Sequence, residues 1–136
     1  MAPPKKTKLT LLGRSEAKLP ASPNEAKLET FRSPAKRPYT IRFETADFTS
    51  LCPVTGQMDF AQIVIEYVPN ELCVESKSLK FYLASFRNER AFNEAVTNRI
   101  LDDFVAACAP RHAVVTAEFS ARGGIALTVR AEHPAR

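Results

Sequence analysis

Glycine and histidine are scarce in this chain of 136 residues, and their scarcity excludes several kinds of site. With four glycines and neither a GxGxxG nor a GxxxxGK[ST] motif, the sequence supports neither a Rossmann dinucleotide-binding domain nor a P-loop. The only two histidines, His112 and His133, lie far apart from each other. No structural zinc site, and no other metal site, is therefore expected.

Cysteine is also sparse, and its spacing predicts no pairing. Cys52, Cys73 and Cys108 are odd in number and lack CxxC spacing, so a disulfide framework is not expected. No apolar run approaches the roughly 18 residues that span a bilayer. The N-terminus has no apolar stretch of signal-peptide length. We therefore expect a cytoplasmic protein without a membrane partner.

The net charge of +4 is unevenly distributed. Residues 1–38 hold nine Lys/Arg, three Glu and six of the ten prolines, whereas residues 39–136 hold ten Lys/Arg and twelve Asp/Glu. This composition predicts a basic, proline-rich and partly disordered arm over residues 1–35, followed by a folded domain over residues 36–136. Because nucleic-acid-binding domains carry positive charge on a folded face, no nucleic acid is expected as the main ligand.

Hydrophobic periodicity predicts the order strand, strand, helix, helix, strand, strand. Alternation with a period of two marks strands at residues 39–43, 63–67, 115–119 and 125–129. Helical spacing marks residues 79–86 and 96–108. The predicted class is α+β, an antiparallel four-stranded sheet with two helices on one face (ββααββ). Since such a sheet has two open edges and a small core, we expect closure into an oligomeric barrel.

Cys52 is the candidate nucleophile. Its neighbours are small and polar, which predicts a loop with exposed hydrogen-bond donors that lower a thiol pKa: Thr49, Ser50, Thr55 and Gly56. Asp59 follows seven residues later, just before the second strand, and is the candidate general acid. The alternatives are a buried structural cysteine and a turn aspartate.

Basic residues follow the start of the first helix. Lys77, Lys80 and Arg87 fall near one stripe, which predicts an anion site for a cofactor phosphate beside outward N–H groups of the helix start. The alternative is a solvated cationic face. The turn at Arg122-Gly123-Gly124 offers a second anion contact.

The second helix opens with Phe92, Asn93 and Glu94. Asn93 is predicted to be its N-cap, with Glu94 favouring the helix dipole. In the functional interpretation, Phe92 stacks on a flat ring and Glu94 accepts the paired N–H groups of that ring.

These segments together resemble a known family. The motifs are Phe48-Thr49-Ser50-Leu51-Cys52-Pro53-Val54-Thr55-Gly56-Gln57-Met58-Asp59-Phe60, Glu75-Ser76-Lys77-Ser78-Leu79-Lys80, Ser85-Phe86-Arg87-Asn88 and Arg122-Gly123-Gly124. They look like the short NADPH-dependent 7-cyano-7-deazaguanine reductases, the nitrile reductases of queuosine (tRNA modification) biosynthesis. The resemblance implies a tunnelling fold and a homodecamer of two stacked pentameric barrels.

The resemblance also implies roles for individual residues. Cys52 forms a covalent thioimidate with the nitrile carbon, Asp59 donates the proton, and two hydrides from two NADPH convert the nitrile to a primary amine. The implied contacts to the deazapurine base are Val74, Glu75, Ser76, Phe92, Asn93 and Glu94. The implied cofactor contacts are Lys77, Lys80, Arg122 and Gly123.

One position departs from the family pattern. Members usually carry Phe-His-Glu where this chain has Phe92-Asn93-Glu94. Asparagine can hydrogen-bond the ring but supplies no proton near neutral pH.

Two other functions compete with this interpretation. Pterin-type cyclases and synthases of the same fold need zinc ligands that this chain lacks. The competing interpretation from another class is a non-catalytic purine-binding or RNA-associated module, with the basic arm as its RNA contact.

Overall fold

The structure of the chain is a computed structural model that describes residues 4, 6, 8–12 and 18–135. Six strands and two α-helices lie in this part of the chain. Their bounds are β1 Thr30–Arg32, β2 Ile41–Leu51, β3 Met58–Val68, β4 Leu72–Val74, α1 Ser76–Ala84, α2 Asn93–Cys108, β5 His112–Arg122 and β6 Ile125–His133. A 3₁₀ turn over Ser85–Asn88 follows α1. No helix of the described residues is long and apolar enough to cross a membrane.

The main sheet has four antiparallel strands in the order β2-β3-β5-β6. This confirms the predicted α+β class and the predicted order of elements. The two hairpins, β2–β3 and β5–β6, meet side by side through β3 and β5. Their turns therefore lie at the same end of the sheet, because β3 and β5 are antiparallel and β3 starts where β5 ends.

One face of the sheet packs against the helices. The alternating side chains of β3, including Ile63, Ile65 and Tyr67, are buried against Ile100 and Phe104 of α2 and their neighbours. Tyr67 and Phe104 make an edge-to-face contact with ring centroids 4.8 Å apart. Burial of a side chain of this size contributes roughly 1.5–3 kcal/mol. The side chains that recur every two residues in β3 and every three or four residues in α2 therefore pack together in one core.

A second, two-stranded sheet was not predicted. β1 pairs with β4 antiparallel, with Thr30 opposite Val74. The apolar residues just before β1 are part of the same packing, since Leu28 is buried in the core. β1 lies inside the range predicted as the arm, so a segment of that range is built into the fold, while the boundary at residue 35 stays a prediction. Residues 1–3, 5, 7 and 13–17 of the predicted arm lie outside the described residues.

The helix starts differ in their caps. Glu75 caps α1, because its carboxylate accepts the backbone N–H groups of Lys77 at 2.7 Å and Ser78 at 2.9 Å. The N-cap of α2 is Phe92, and Asn93 is the first helical residue. The prediction that Asn93 is the N-cap was therefore wrong by one position, since the extended backbone lies at Phe92.

Candidate active site

Cys52 lies on the tight connection between β2 and β3, as predicted. The loop is closed by two backbone hydrogen bonds, from Cys52 N–H to the Gln57 carbonyl at 2.8 Å and from Gly56 N–H to the Cys52 carbonyl at 2.9 Å. Gly56 has a φ of +72°, a left-handed conformation that glycine adopts without a steric penalty. The loop therefore holds a partly exposed thiol on a rigid turn.

The environment of Cys52 favours its thiolate form. A hydrogen bond from the Thr55 side chain, followed by bonds from the backbone N–H groups of Thr55 and Val54 and a bond from Arg122, lowers the pKa of Cys52 to about 7. Limited desolvation acts in the opposite direction. By contrast, burial raises the pKa of Cys108 to about 12. Of these two thiols, only Cys52 has the partial exposure and low pKa that a nucleophile needs.

Asp59 faces the nucleophile loop from the start of β3. It is the second residue of β3, so the prediction that it lies just before a strand beginning near Ala61 was wrong, because β3 begins at Met58. Its side chain is largely buried, and its Oδ1 contacts the Nε of Arg122 at 2.9 Å. Because Arg122 also donates to the sulfur of Cys52, one guanidinium joins the candidate nucleophile and the candidate acid.

Arg122 reaches this position because the β5–β6 turn lies beside the β2–β3 loop. Gly123 and Gly124 form that turn with φ values of +57° and +79°, and an added Cβ would meet nothing within 4 Å at either position. The predicted turn is thus present. Arg122, however, lies with Cys52 and Asp59, whereas the sequence pattern had suggested only an anion contact for it.

A segment ahead of α2 extends the edge of β2 beside the nucleophile. The Leu51 N–H donates to the Glu89 carbonyl at 2.9 Å, and the Ala91 N–H donates to the Leu51 carbonyl at 3.1 Å. Arg90, between them, lays its guanidinium over Gly56, and an added Cβ there would lie 2.7 Å from its Nη2. Arg90 was not predicted as a site residue, because this contact depends on a bridge across 39 residues of sequence.

This edge segment carries Phe92, Asn93 and Glu94 to the neighbourhood of Cys52. Phe92 is 62% exposed, which is unusual for a large aromatic side chain. Glu94 is exposed in the first turn of α2. The Oδ1 of Asn93 is buried and has no hydrogen-bond partner among the described residues. An exposed ring, a carboxylate and an unpaired acceptor together suit a flat ligand with N–H groups.

The residues around the start of α1 form a second group. Val74 and Glu75 are buried, and Ser76 is exposed at the first position of the helix. Because the Glu75 carboxylate already accepts the N–H groups of Lys77 and Ser78, these N–H groups do not point outward to an anion. The predicted use of these two N–H groups for a phosphate was therefore wrong.

A cavity of about 550 Å³ lies between α1 and β2. Ser76, Lys80 and Arg87 line it from the helix side, but so do Glu44 and Asp47 from the strand. The Arg87 guanidinium is bound to the carbonyls of Pro20 at 2.8 Å and Ala84 at 3.0 Å. The Nζ of Lys77 lies 6.0 Å from the centroid of the Phe81 ring. The lining of this cavity does not include Cys52 or Asp59.

The structure therefore brings together some of the predicted residues and separates others. Cys52, Asp59 and Arg122 share contacts, with Phe92–Glu94 on the adjoining segment. Lys77 and Lys80 lie on α1, whereas Arg122 and Gly123 lie at the turn between β5 and β6. Among the described residues, no group of three or more His, Cys, Asp or Glu could hold a metal ion.

Sequence comparison with known proteins finds similar chains in one family. The family described as QueF-like protein matches residues 58–136. The NADPH-dependent 7-cyano-7-deazaguanine reductase of Nitrosococcus oceani is 56% identical over 116 residues, which cover 85% of this chain and 89% of the relative. That of Syntrophus aciditrophicus is 54% identical over 129 residues, 93% of this chain and 87% of the relative.

A solved structure extends the likeness to the fold. The apo form of the archaeosine synthase QueF-Like superposes with a TM-score of 0.66 at 27% sequence identity, covering 71% of this chain and 95% of that one. The sequence identities and the shared tunnelling fold lead to one conclusion: this chain belongs to the QueF-like family of NADPH-dependent 7-cyano-7-deazaguanine reductases.

Proposed function

We propose that this chain, an NADPH-dependent nitrile oxidoreductase, reduces the nitrile of 7-cyano-7-deazaguanine to a primary amine through a covalent bond to Cys52. The observation that carries the mechanism is the cluster of a partly exposed low-pKa thiol, a buried carboxyl group and one guanidinium that contacts both. A nucleophile and a proton donor are the two groups that addition to a nitrile requires.

The first step forms a thioimidate. The Cys52 sulfur adds to the nitrile carbon, one π bond of the C≡N group breaks, and its electron pair goes to nitrogen. Asp59 delivers to that nitrogen the proton that the thiol has lost. The hydrogen bonds from Thr55 and Val54 keep much of Cys52 as thiolate at neutral pH, so little free energy is spent on deprotonation.

The exposed side chains beside Cys52 would hold the flat base. Phe92 would stack on the ring, and the Glu94 carboxylate would accept a pair of its N–H groups. The unpaired Oδ1 of Asn93 would accept another. Val74, Glu75 and Ser76 would flank the base. The Glu75 carboxylate retains acceptor capacity, because two oxygens offer about four lone-pair sites and two N–H groups occupy the cap.

The basic residues fit the phosphate groups of NADPH by charge. Lys80 is exposed at the mouth of the cavity between α1 and β2, and Lys77 lies one turn earlier on the same helix. Arg122 and Gly123 would supply a further contact from the turn. When bound, NADPH supplies hydride to the carbon attached to Cys52 and, from a second molecule, to the imine. After the first reduction the C–S bond breaks and Cys52 leaves as thiolate.

We propose that a complete site contains residues from more than one copy of the chain. The lining of the cavity that includes Lys80 does not include Cys52 or Asp59. β2 and β6 are the edges of the four-stranded sheet, with most of their outer backbone groups available to a partner strand. These observations support assembly into barrels, and we propose a homodecamer of two pentamers that acts in the cytoplasm. Native mass spectrometry would test the stoichiometry.

Incubation with 7-cyano-7-deazaguanine in the absence of NADPH tests the central claim. We expect wild type to gain the mass of one nitrile per chain and Cys52→Ala to gain none. Addition of NADPH should then be accompanied by loss of its absorbance in wild type alone. A nitrile adduct that persists in Cys52→Ala, or a wild type that neither forms an adduct nor oxidises NADPH, would contradict the proposal.

A further inference from the structure

A buried hydroxyl next to the proposed proton donor has no hydrogen-bond partner in the part of the chain that the structure describes. Ser50 is 0% exposed, and its Oγ makes no hydrogen bond to any described residue. A buried hydroxyl without a partner costs about 1–3 kcal/mol. The other buried serines that the structure describes are paired: Ser78 donates to the Glu75 carbonyl, and Ser85 donates to the Tyr82 carbonyl. Ser50 is therefore an exception that needs a physical reason.

Its position in the sheet gives that reason. In the antiparallel pairing of β2 with β3, Ser50 lies directly opposite Asp59. Directly opposed residues project to the same face with Cβ atoms about 4.5–5.5 Å apart. Both side chains lie on the buried face, where little water reaches them. The Asp59 carboxyl group turns to Arg122 instead, at 2.9 Å.

Arg122 can bind the ionised form of the Asp59 carboxyl group but cannot accept a hydrogen bond from its protonated form. A guanidinium carries donors and no acceptor, so it can bind an ionised carboxylate but cannot accept the O–H of a protonated carboxyl group. A serine hydroxyl both donates and accepts. A buried carboxyl group that changes between its ionised and protonated forms needs a partner that can also accept a hydrogen bond. Without one, the protonated form leaves a buried O–H group unpaired, which lowers stability.

We infer that Ser50 is a positioning residue for Asp59, accepting a hydrogen bond from the protonated carboxyl group until that group delivers its proton to the substrate nitrogen. Arg122 holds the ionised form and Ser50 holds the protonated form. Ser50 touches neither the base nor the reacting atoms, since its hydroxyl is closed off from the surface. This inference rests on the proposed function, in which Asp59 supplies the proton.

The test is a double-mutant cycle on adduct formation without NADPH. Wild type, Ser50→Ala, Asp59→Asn and the double variant are incubated with 7-cyano-7-deazaguanine, and intact mass is followed over hours so that slow rates remain measurable. We expect Ser50→Ala to slow adduct formation about 5- to 10-fold, the scale of one hydrogen bond. In the Asp59→Asn background the same change should alter the rate less than about twofold, since Ser50 acts through Asp59.

Two further measurements separate positioning from a structural role. The melting temperature of Ser50→Ala should equal or exceed that of wild type, because no hydrogen bond is lost. Ser85→Ala is the matched control, since it removes a buried hydroxyl that does have a partner and should lower the melting temperature. In a Cys52→Ala background, which prevents the covalent step, Ser50→Ala should leave the calorimetric affinity for the base unchanged.

Each contrary result has a definite meaning. A melting temperature lowered as much as in Ser85→Ala, or failure of Ser50→Ala to fold, would show that the hydroxyl has a structural partner and would overturn the inference. So would an unchanged adduct rate, or equal slowing in both Asp59 backgrounds. If wild type itself forms no adduct, the proposed function fails; if wild type forms one and Ser50→Ala matches it, only this inference fails.

Discussion

Replacing Thr55 by valine should make Cys52 less reactive by raising its pKa. Valine keeps the shape of threonine but removes the hydroxyl, whose bond to the Cys52 sulfur is the largest single cause of the lowered pKa. Bonds from the backbone N–H groups of Thr55 and Val54 remain in the variant. The pKa should therefore rise from about 7 toward, but not as far as, the ordinary value of 9.0.

The magnitude follows from the fraction of thiolate. At pH 7 a thiol with a pKa of about 7 is about one half ionised, whereas at the ordinary cysteine value only about 1% is ionised. Complete loss of the shift would thus slow a thiolate reaction about 50-fold. Removal of its largest cause alone should slow it about 3- to 10-fold at pH 7. The difference should shrink as the pH rises, since both proteins then become fully ionised.

The rate of alkylation by iodoacetamide, followed by intact mass between pH 5.5 and 9.5, measures the pKa of Cys52 in each protein. Cys73 and Cys108 are buried, so one addition at Cys52 dominates the early time course. Thr49→Val is the control, because it removes a nearby hydroxyl from β2 that is not among the groups that lower the Cys52 pKa. Equal pH midpoints for wild type and Thr55→Val would refute the assignment of the low pKa to the Thr55 hydroxyl.

Three further changes test the surroundings of this thiol. Gly56→Ala should lower the melting temperature by a few degrees and slow alkylation, because φ is +72° and the new Cβ would lie 2.7 Å from the Arg90 guanidinium; unchanged melting would contradict this. Lys80→Ala should raise the KM for NADPH about 3- to 10-fold, as expected for one lost phosphate contact of about 1 kcal/mol, with the KM for the nitrile as the internal control; loss of tRNA binding instead would favour an RNA-associated role. Asn93→His should add an ionisation to kcat between about pH 6 and 7.5, because imidazole titrates there and an amide does not; identical pH–rate profiles would assign position 93 to holding the ring.

The elements of this fold were largely readable from the sequence. The period of two around Ile63 and Tyr67 and the helical stripe ending at Cys108 are local patterns, and burial of one face indicates both the type of each element and the side that faces the core. β1 was missed because a three-residue strand carries too little periodicity to be recognised. It exists because β4 supplies the partner for its hydrogen bonds.

The features of the candidate site also divide into those predicted from the sequence and those found only in the tertiary structure. The sequence alone determined that Cys52 would lie on a polar loop with a carboxylic acid close behind it, because seven residues of a hairpin cannot carry Asp59 far away. Only the tertiary structure decided that Arg122 joins the two, that Arg90 covers Gly56, and that Ser50, opposite Asp59, has no hydrogen-bond partner among the described residues. Those contacts cross between hairpins, depend on strand register, or are set by which neighbour a side chain turns to, and none of these is encoded in local periodicity.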